Sequence, residues 1–481
     1  MTLRQIVGPL AVAMAAWGAD PIEIGSRREL FVDRFLVEKL NGTTLELQKP
    51  VNRGIVLRFD KPWEGAFSTY ATVIHDGPKY RLYYRGLPVA KTELKSDTTT
   101  CYAESTDGIE WNKPELGLVD IRGSRANNVI LADPAFSSDF SPLLDRRPGV
   151  PAAQRFKALA GTMHTGLVAF VSADGIHWSR MREEPVFPPT RQPSFDSQNL
   201  AFWSESERQY VAYFRTFKTD PTAGRVRWIS RSTSQDFLTW TAPQEMSFGE
   251  APPEHLYVNQ TFPYFRAPHI YVALAARFWP DRRALSDDEI RTAGILEGYY
   301  KDISDAVMLT TRGGSRYDRT FLESFIRPGV GPNHWASRTN YPVLNVVQTG
   351  PAEMSIYVNR HYAQPSAHLE RYTLRLDGFA SVHAPYSGGE VLTRPLTFRG
   401  KDLELNYSTS AAGFVRVEVQ DASGKPIPEY SLAQSVDVIG DHLARTVAWK
   451  SGSDLSQLAG KPVRLRFVMK DADLFSIRFR E

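Results

Sequence analysis

The chain has 481 residues, 42% of them hydrophobic and 23% charged, with a formal net charge of +3. That apolar content can bury a sizeable core, which excludes a disordered chain, and near-neutrality without a long basic run excludes a nucleic-acid footprint. A single cysteine, Cys101, excludes an intrachain disulfide framework and a multi-cysteine zinc site, while 10 tryptophans and 20 tyrosines suit β-structure and flat ligand-stacking surfaces.

Residues 1–19 carry a positive charge at Arg4, an apolar run from Ile6 to Trp17 and small residues at the end. This is the pattern of a signal peptide, and it predicts a secreted or periplasmic protein. No later run reaches the roughly 18 apolar residues of a membrane span. Residues 20–55, including ELFVDRFLVEKL, read as a lead-in strand that pads or closes the domain downstream of it. Within it, alternation buries Asp33 beside Phe31 and Phe35, so Asp33 must pair with an arginine or reach a channel.

A repeat then begins. Three segments share one ending: Asp107-Gly108-Ile109-Glu110-Trp111, Asp174-Gly175-Ile176-His177-Trp178 and Asp236-Phe237-Leu238-Thr239-Trp240. Each follows a short alternating strand (TTCYAES, GLVAFVS, RWISRST), with weaker copies near Asp318 and Asp377. The turn glycines tolerate positive φ, and the tryptophan is placed to cover the edge between neighbouring sheets. Upstream lie further alternating strands: YRLYYRG, RFKALAG, QYVAYFR, PHIYVAL and EMSIYVN. Before each of those comes a strand led by polar residues: STYATVI, DFSPLLD, DSQNLAFW, VNQTFPYF and RTNYPVL. Five units of three or four strands predict a radially repeated β-propeller over 20–384. One helix is expected, over 286–296, with Ser286 as N-cap. From residue 385 the segments KDLELNYST, GFVRVEVQD, PVRLRFVMK and LFSIRFR alternate between turns, which predicts a β-sandwich over 385–481. The predicted fold is all-β: a five-bladed β-propeller followed by a C-terminal β-sandwich.

This order, with LFVDRFLVE, KPWEG, YYRG, YAESTDGIEW, FDSQNLAFW and PPEHLYVNQ, resembles the glycosyl-hydrolase-32/43-like propeller proteins, the arabinanase, levansucrase and invertase group. The resemblance spans essentially the whole chain, although the group's Trp-Met-Asn-Asp-Pro-Asn-Gly, Arg-Asp-Pro and Glu-Cys motifs are absent. It implies a glycoside hydrolase acting on an oligo- or polysaccharide of plant or microbial origin, with a furanosidic bond favoured. It also implies two aspartates and one glutamate on three successive blades. Aligned as strand leaders, Asp139, Asp196 and Glu254 fill those places. Glu254 is then the acid, Asp139 the nucleophile or base, and Asp196 the stabiliser. Carboxyl groups ~5–5.5 Å apart would give retention and ~6.5–9.5 Å inversion.

Polar strand leaders converge on a propeller's central channel, and buried amides there need partners. Gln198, Asn199, His255 and Asn259 therefore join the site as substrate-binding residues, with Trp335 for stacking and Arg85 and Arg338 as fork-shaped donors. Arg85 and Arg215 end equivalent strands, so they equally fit a role in tying blades together. Glu64 competes as an acid or a hydroxyl ligand, because it precedes the first inner strand as Glu254 precedes the fourth. Asp139 also fits an Asx-turn and Glu254 an arginine salt bridge. His164 and His334 are candidates to face the channel. No zinc-spaced His and carboxylate pair and no Gly-rich nucleotide loop is present, so no metal and no cofactor is expected. Two further readings fit the same pattern: a non-catalytic carbohydrate-binding propeller, and a sialidase-like hydrolase suggested by the Asp-Gly-x-x-Trp turns.

Overall fold

A computed structural model describes residues 20–88, 97–192 and 194–481. The expected signal peptide at residues 1–19 lies outside the described residues. Five small antiparallel sheets follow one another along the chain. Blade one comprises Thr69–His75, Tyr80–Gly86, Thr99–Ser105 and Val129–Leu131. Blade two comprises Ser141–Leu144, Phe156–Thr162, Gly166–Ser172 and Ser179–Arg180. Blade three comprises Leu200–Ser204, Gln209–Asp220, Gly224–Ser234 and Gln244–Glu245. In blade four, Thr261–Tyr264 pairs with Ala267–Trp279, which pairs with Ile303–Thr311, and His255–Leu256 holds the far end of the long middle strand. In blade five, Tyr341–Pro342 and Val347–Gln348 pair with Glu353–Arg360, followed by His368–Arg375.

The inner strands of blades one to four touch in turn, Ala267–Trp279 of blade four touches Tyr341–Pro342 of blade five, and the fifth blade returns to the first, where Thr72 bridges Leu344 in parallel. The molecule is therefore a five-bladed β-propeller, as the repeat predicts. The outermost strand of blade five is Val51–Arg58, from the start of the chain, paired with His368–Arg375. This part of the lead-in closes the ring, which removes the open edge that the last blade would otherwise expose.

The rest of the lead-in differs in part from expectation. Ile22–Gly25, Arg28–Leu30, Val37–Asn41 and Thr44–Leu47 pair with C-terminal strands in one ten-stranded sheet, while Leu30 and Val32 still pack into the propeller core, as padding would. That sheet is organised on two long strands, Asp402–Asp421 and Val463–Arg480, paired almost throughout. The sequence suggests two strands in each of these places. Instead, register shifts at 406–407 and 409–414 bend one continuous ribbon, as bulges do. The sheet encloses its own core of Phe31, Val391, Leu405, Val417, Trp449 and Phe467.

The repeated turn works as a local clamp. Asp107 Oδ1 accepts the backbone N–H groups of Ile109 and Glu110, while Ser105 Oγ accepts that of Gly108. Asp174 with Ser172, and Asp236 with Ser234, repeat the pattern. Positive φ is required at the residue after the aspartate, where glycine stands twice and Phe237 sits at 69°. The tryptophan then packs on the preceding blade, as expected. Trp178 lies 6.4 Å from Tyr83, Trp111 lies 5.8 Å from Tyr357, and Trp240 lies 5.3 Å from Phe187. The helix forms over Asp287–Ala293 with a complete Ser286–Glu289 capping box and Gly294 at φ 65°.

Candidate functional site

Every inner strand starts at the same pole of the ring. Because strands alternate in direction, second strands end at that pole and third strands begin there. Side chains from three strand positions per blade therefore meet at one mouth. Its floor is an amide network crossing the axis. Gln198 of blade three donates to Thr72 Oγ1 of blade one at 3.0 Å. Gln260 of blade four donates to Gln198 Oε1 at 2.5 Å and to Pro342 O of blade five at 2.8 Å.

The backbone is unusual at this mouth. Tyr70, Phe195, Gln260, Arg338 and Asn340 all have positive φ, between 43° and 74°, at or just before the inner strands of blades one, three, four and five. Non-glycine residues occupy this region at a cost of roughly 1–3 kcal/mol each, and such strain clusters where function fixes geometry.

Above the floor stands a group of tyrosines, arginines and aspartates. Tyr70 is buried, and its burial, then the nearby Tyr257, Asp196 and Asp139, hold its hydroxyl well above the ordinary tyrosine range. Asp139 is buried, with Ser138 Oγ donating to it at 3.4 Å. Asp196 is the solvent-facing member, its side chain 70% exposed, and it accepts from Arg215 at 2.9 Å. Arg85 lies 4.6 Å over the Tyr70 ring and donates to Ser138 Oγ at 3.3 Å and Tyr362 Oη at 3.2 Å. Around Tyr257 stand Arg227 at 4.7 Å, Arg215 at 5.1 Å and Arg338 at 5.6 Å, with Tyr341 5.3 Å away.

A third carboxylate joins them, one that a reading of inner-strand leaders overlooks. Asp302 precedes Ile303–Thr311, the third strand of blade four. Burial raises its pKa against the lowering influence of Ser337, Arg338 and Arg227. Its Oδ1 is buried and has no hydrogen-bond partner among the described residues. A carboxyl whose pKa is raised by burial is the better placed to give a proton to a leaving oxygen. The signal is legible in the sequence: in an antiparallel blade the third strand starts where the first does, so its leader belongs at the same mouth.

The predicted residues divide. Asp139, Asp196, Arg85 and Arg338 come together, and Gln198 forms the floor beneath them. His255 touches the group at one remove, its Nδ1 accepting the Arg227 N–H at 3.2 Å. Glu254 sits in a separate ionic cluster, where Arg277 donates to one oxygen at 2.9 Å and Arg319 to the other at 2.8 Å. Arg277 also binds Asp305. Glu64 is buried inside blade one between Tyr84 Oη at 2.5 Å and Lys113 Nζ at 2.6 Å. Asn199 clamps its own turn through Phe195 O and Ser197 O, and Asn259 accepts from Thr261. Trp335 donates to Gly329 O and packs beside the helix-bearing cluster of Leu285, Ile290 and Ile295. Asp33 pairs with Arg312 at 3.3 Å rather than reaching the channel. His164 is exposed in a hairpin turn, and His334 packs on His361 at 4.8 Å.

The opposite pole opens into a cavity of about 720 Å³, lined by strand ends such as His75, Leu144, Trp203, Pro263 and Gln348. None of Asp139, Asp196, Glu254 or Asp302 lines it. Among the described residues no helix is long and apolar enough to cross a membrane.

No protein-family model matches the sequence, and no curated protein does. Solved structures do. A GH32 β-fructofuranosidase of Bombyx mori is 10% identical with a TM-score of 0.43, over 89% of this chain and 94% of that one. An N-acetylgalactosamine deacetylase from F. plautii is 11% identical with a TM-score of 0.46, over 70% and 96% of the two chains. The catalytic domain of a GH62 α-L-arabinofuranosidase from Coprinopsis cinerea is 9% identical with a TM-score of 0.40, over 68% and 97%.

Proposed function

We propose that the chain is a glycoside hydrolase whose active site is the propeller mouth at the starts of the inner strands. One observation carries this reading. Two carboxylates from different blades, Asp139 and Asp196, and a third carboxyl with a raised pKa, Asp302, share a strained and arginine-lined mouth. Glycosidic cleavage needs such a division: one carboxyl that holds a proton for the leaving oxygen, and another that is ionised to attack or to activate water. In the proposed assignment Asp302 is the acid, Asp139 the nucleophile or base, and Asp196, fixed by Arg215, the group that orients the sugar. Asp302 takes the role that the strand-leader pattern gives to Glu254, because both Glu254 oxygens accept from guanidiniums. A plant or microbial glycan with a furanosidic bond is the proposed substrate. Export by the leader at residues 1–19 belongs to the same proposal, as does a sandwich arrangement of the C-terminal sheet that braces the propeller.

The test is a screen of aryl furanosides and pyranosides with the full chain and with Asp139→Asn. Turnover of at least one glycoside, lost in the variant, is the expected result. Turnover that survives Asp139→Asn overturns the assignment. Glycan binding without any turnover replaces the hydrolase by a carbohydrate-binding propeller.

A further inference from the structure

Three guanidiniums around the Tyr257 ring do not have equal partners. Arg215 is paired with Asp196. Neither Arg227 nor Arg338 has a carboxylate at ion-pair distance among the described residues. Among the described residues the Arg227 guanidinium meets the His255 ring nitrogen and aromatic faces, lying 4.7 Å from both the Tyr257 and Phe278 rings. Arg338 lies over the Tyr257 and Tyr299 rings at 5.6 and 5.2 Å, and makes no hydrogen bond to a described side chain or carbonyl. The Nε atoms of Arg215, Arg227 and Arg338 are all buried without an acceptor among the described residues, and the hydroxyls of Tyr341 and Ser197 are likewise unmatched.

Elsewhere, Arg231, Arg312 and Arg319 also have a buried Nε without an acceptor, but their terminal nitrogens bind Glu207, Glu29 and Glu254. Arg360 binds Glu370, Pro328 O and Tyr372, and Arg277 binds Glu254 and Asp305. Arg227 and Arg338 are half-buried, with their Nε atoms shut off from solvent, and a desolvated donor without an acceptor is costly, so structures keep one where something else completes it. Stacking on aromatic rings satisfies the flat face of a guanidinium but not its in-plane N–H groups. Those N–H groups form a fork that matches a carboxylate. Arg338 is also held at φ 57°, a backbone strain that places its side chain at the mouth.

We propose that the glycan recognised at this mouth is acidic, and that Arg227 and Arg338 bind the carboxylate of a uronic-type sugar. This rests on the reading of the mouth as the carbohydrate site. It narrows the substrate class from glycans in general to those carrying a carboxylate, with the Tyr257 and Tyr341 rings packed beside the ion.

The experiment is binding of the labelled full chain to an array of neutral, uronate-bearing and sulfated oligosaccharides, run at low and high salt. It is repeated with Arg338→Met, Arg338→Lys and Arg227→Met. Uronate-bearing glycans should bind at least about tenfold better than their neutral counterparts and weaken as salt rises. Both methionine variants should lose that preference, and Arg338→Lys, which keeps the charge without the fork, should retain only part of it. Equal binding of neutral and acidic glycans overturns the proposal, as does a preference that survives both methionine variants or a stronger preference for sulfate esters. Unfolding midpoints show whether each variant folds, and the salt dependence of the unmodified chain stands as an independent readout. Turnover of neutral glycosides alone leaves the hydrolase and removes the acidic sugar. Acidic-glycan binding without turnover does the reverse.

Discussion

The mouth of the propeller and the seam between the propeller and the ten-stranded sheet both bury many charges, but they treat them differently. At the seam the buried carboxylates are answered. Glu29, fully buried, accepts from His269 at 2.9 Å and Arg312 at 2.7 Å. Asp377, equally buried, accepts from Tyr264, Asn406 and Ser476 and stands 3.1 Å from Arg266 and 3.4 Å from Arg28. At the mouth, guanidinium nitrogens, Asp302 Oδ1 and Tyr341 Oη are left open among the described residues. Saturated networks fix how two bodies of the protein meet, whereas unmet groups indicate where another molecule completes the structure. Arg312 Nε is left open at the seam too, so the contrast rests on the carboxylates: both oxygens of Glu29 and of Asp377 are met, and Asp302 Oδ1 is not.

The sharpest break between the two regions would come from Asp302→Asn. It should lower glycoside turnover roughly 10²–10⁴-fold, the usual worth of a general acid, and leave the unfolding transition almost in place. Activated aryl leaving groups should be affected least. A drop in unfolding midpoint without a drop in turnover would move Asp302 to the architectural side. At the seam the reverse is expected. Asp377→Ala strands Arg28 and Arg266 in a buried setting, and should cost about 3–5 kcal/mol in urea unfolding, with KM and kcat of the surviving folded protein little changed. Glu254→Gln tests the boundary between the two classes. Its ionic cluster predicts a loss of about 1–3 kcal/mol of stability and turnover within a few-fold of the parent; a collapse of turnover in a stable variant would restore Glu254 as the acid.

The smallest effect concerns pH. His361 packs between His334 and His368 at 4.8 and 4.6 Å, and burial, reinforced by those two histidines, pulls its pKa down to about 3. Burial also lowers that of His334. Between pH about 3 and the unfolded value near 6.5, the unfolded chain binds a proton that the folded one refuses. Stability from this group is therefore complete above pH 6.5 and declines as pH falls through that window. His361→Gln should flatten the acid limb of stability measured by chemical unfolding, and an unchanged slope would refute the assignment.

The blade strands are legible in the sequence because alternation has period two and the same turn recurs. YRLYYRG, TTCYAES and GLVAFVS are strands over those very residues, and the turn tryptophans cover the neighbouring blade. The long ribbon strands are not legible, since a bulge interrupts alternation in sequence without ending the hydrogen-bonded ladder. The allegiance of residues 22–47 is hidden for a different reason: nothing local says which distant edge a short strand will join. At the site, Asp139 and Asp196 follow from their position as leaders. Glu254 does not: it leads the short His255–Leu256 rather than the inner strand Thr261–Tyr264, and its partners Arg277 and Arg319 arrive from elsewhere in the blade, a pairing beyond any spacing rule. Asp302 escapes a reading confined to first strands.

The strand Val51–Arg58 carries one more consequence. It latches onto the final blade, whose partner strand His368–Arg375 comes some three hundred residues later. A ribosome would have released most of the ring before this latch had anything to grip, so the circle is completed late and by a long-distance encounter, a topology that folds slowly. A protease cut between the latch and Thr69 would leave all five sheets formed but free to splay, loosening the mouth without removing any of its side chains.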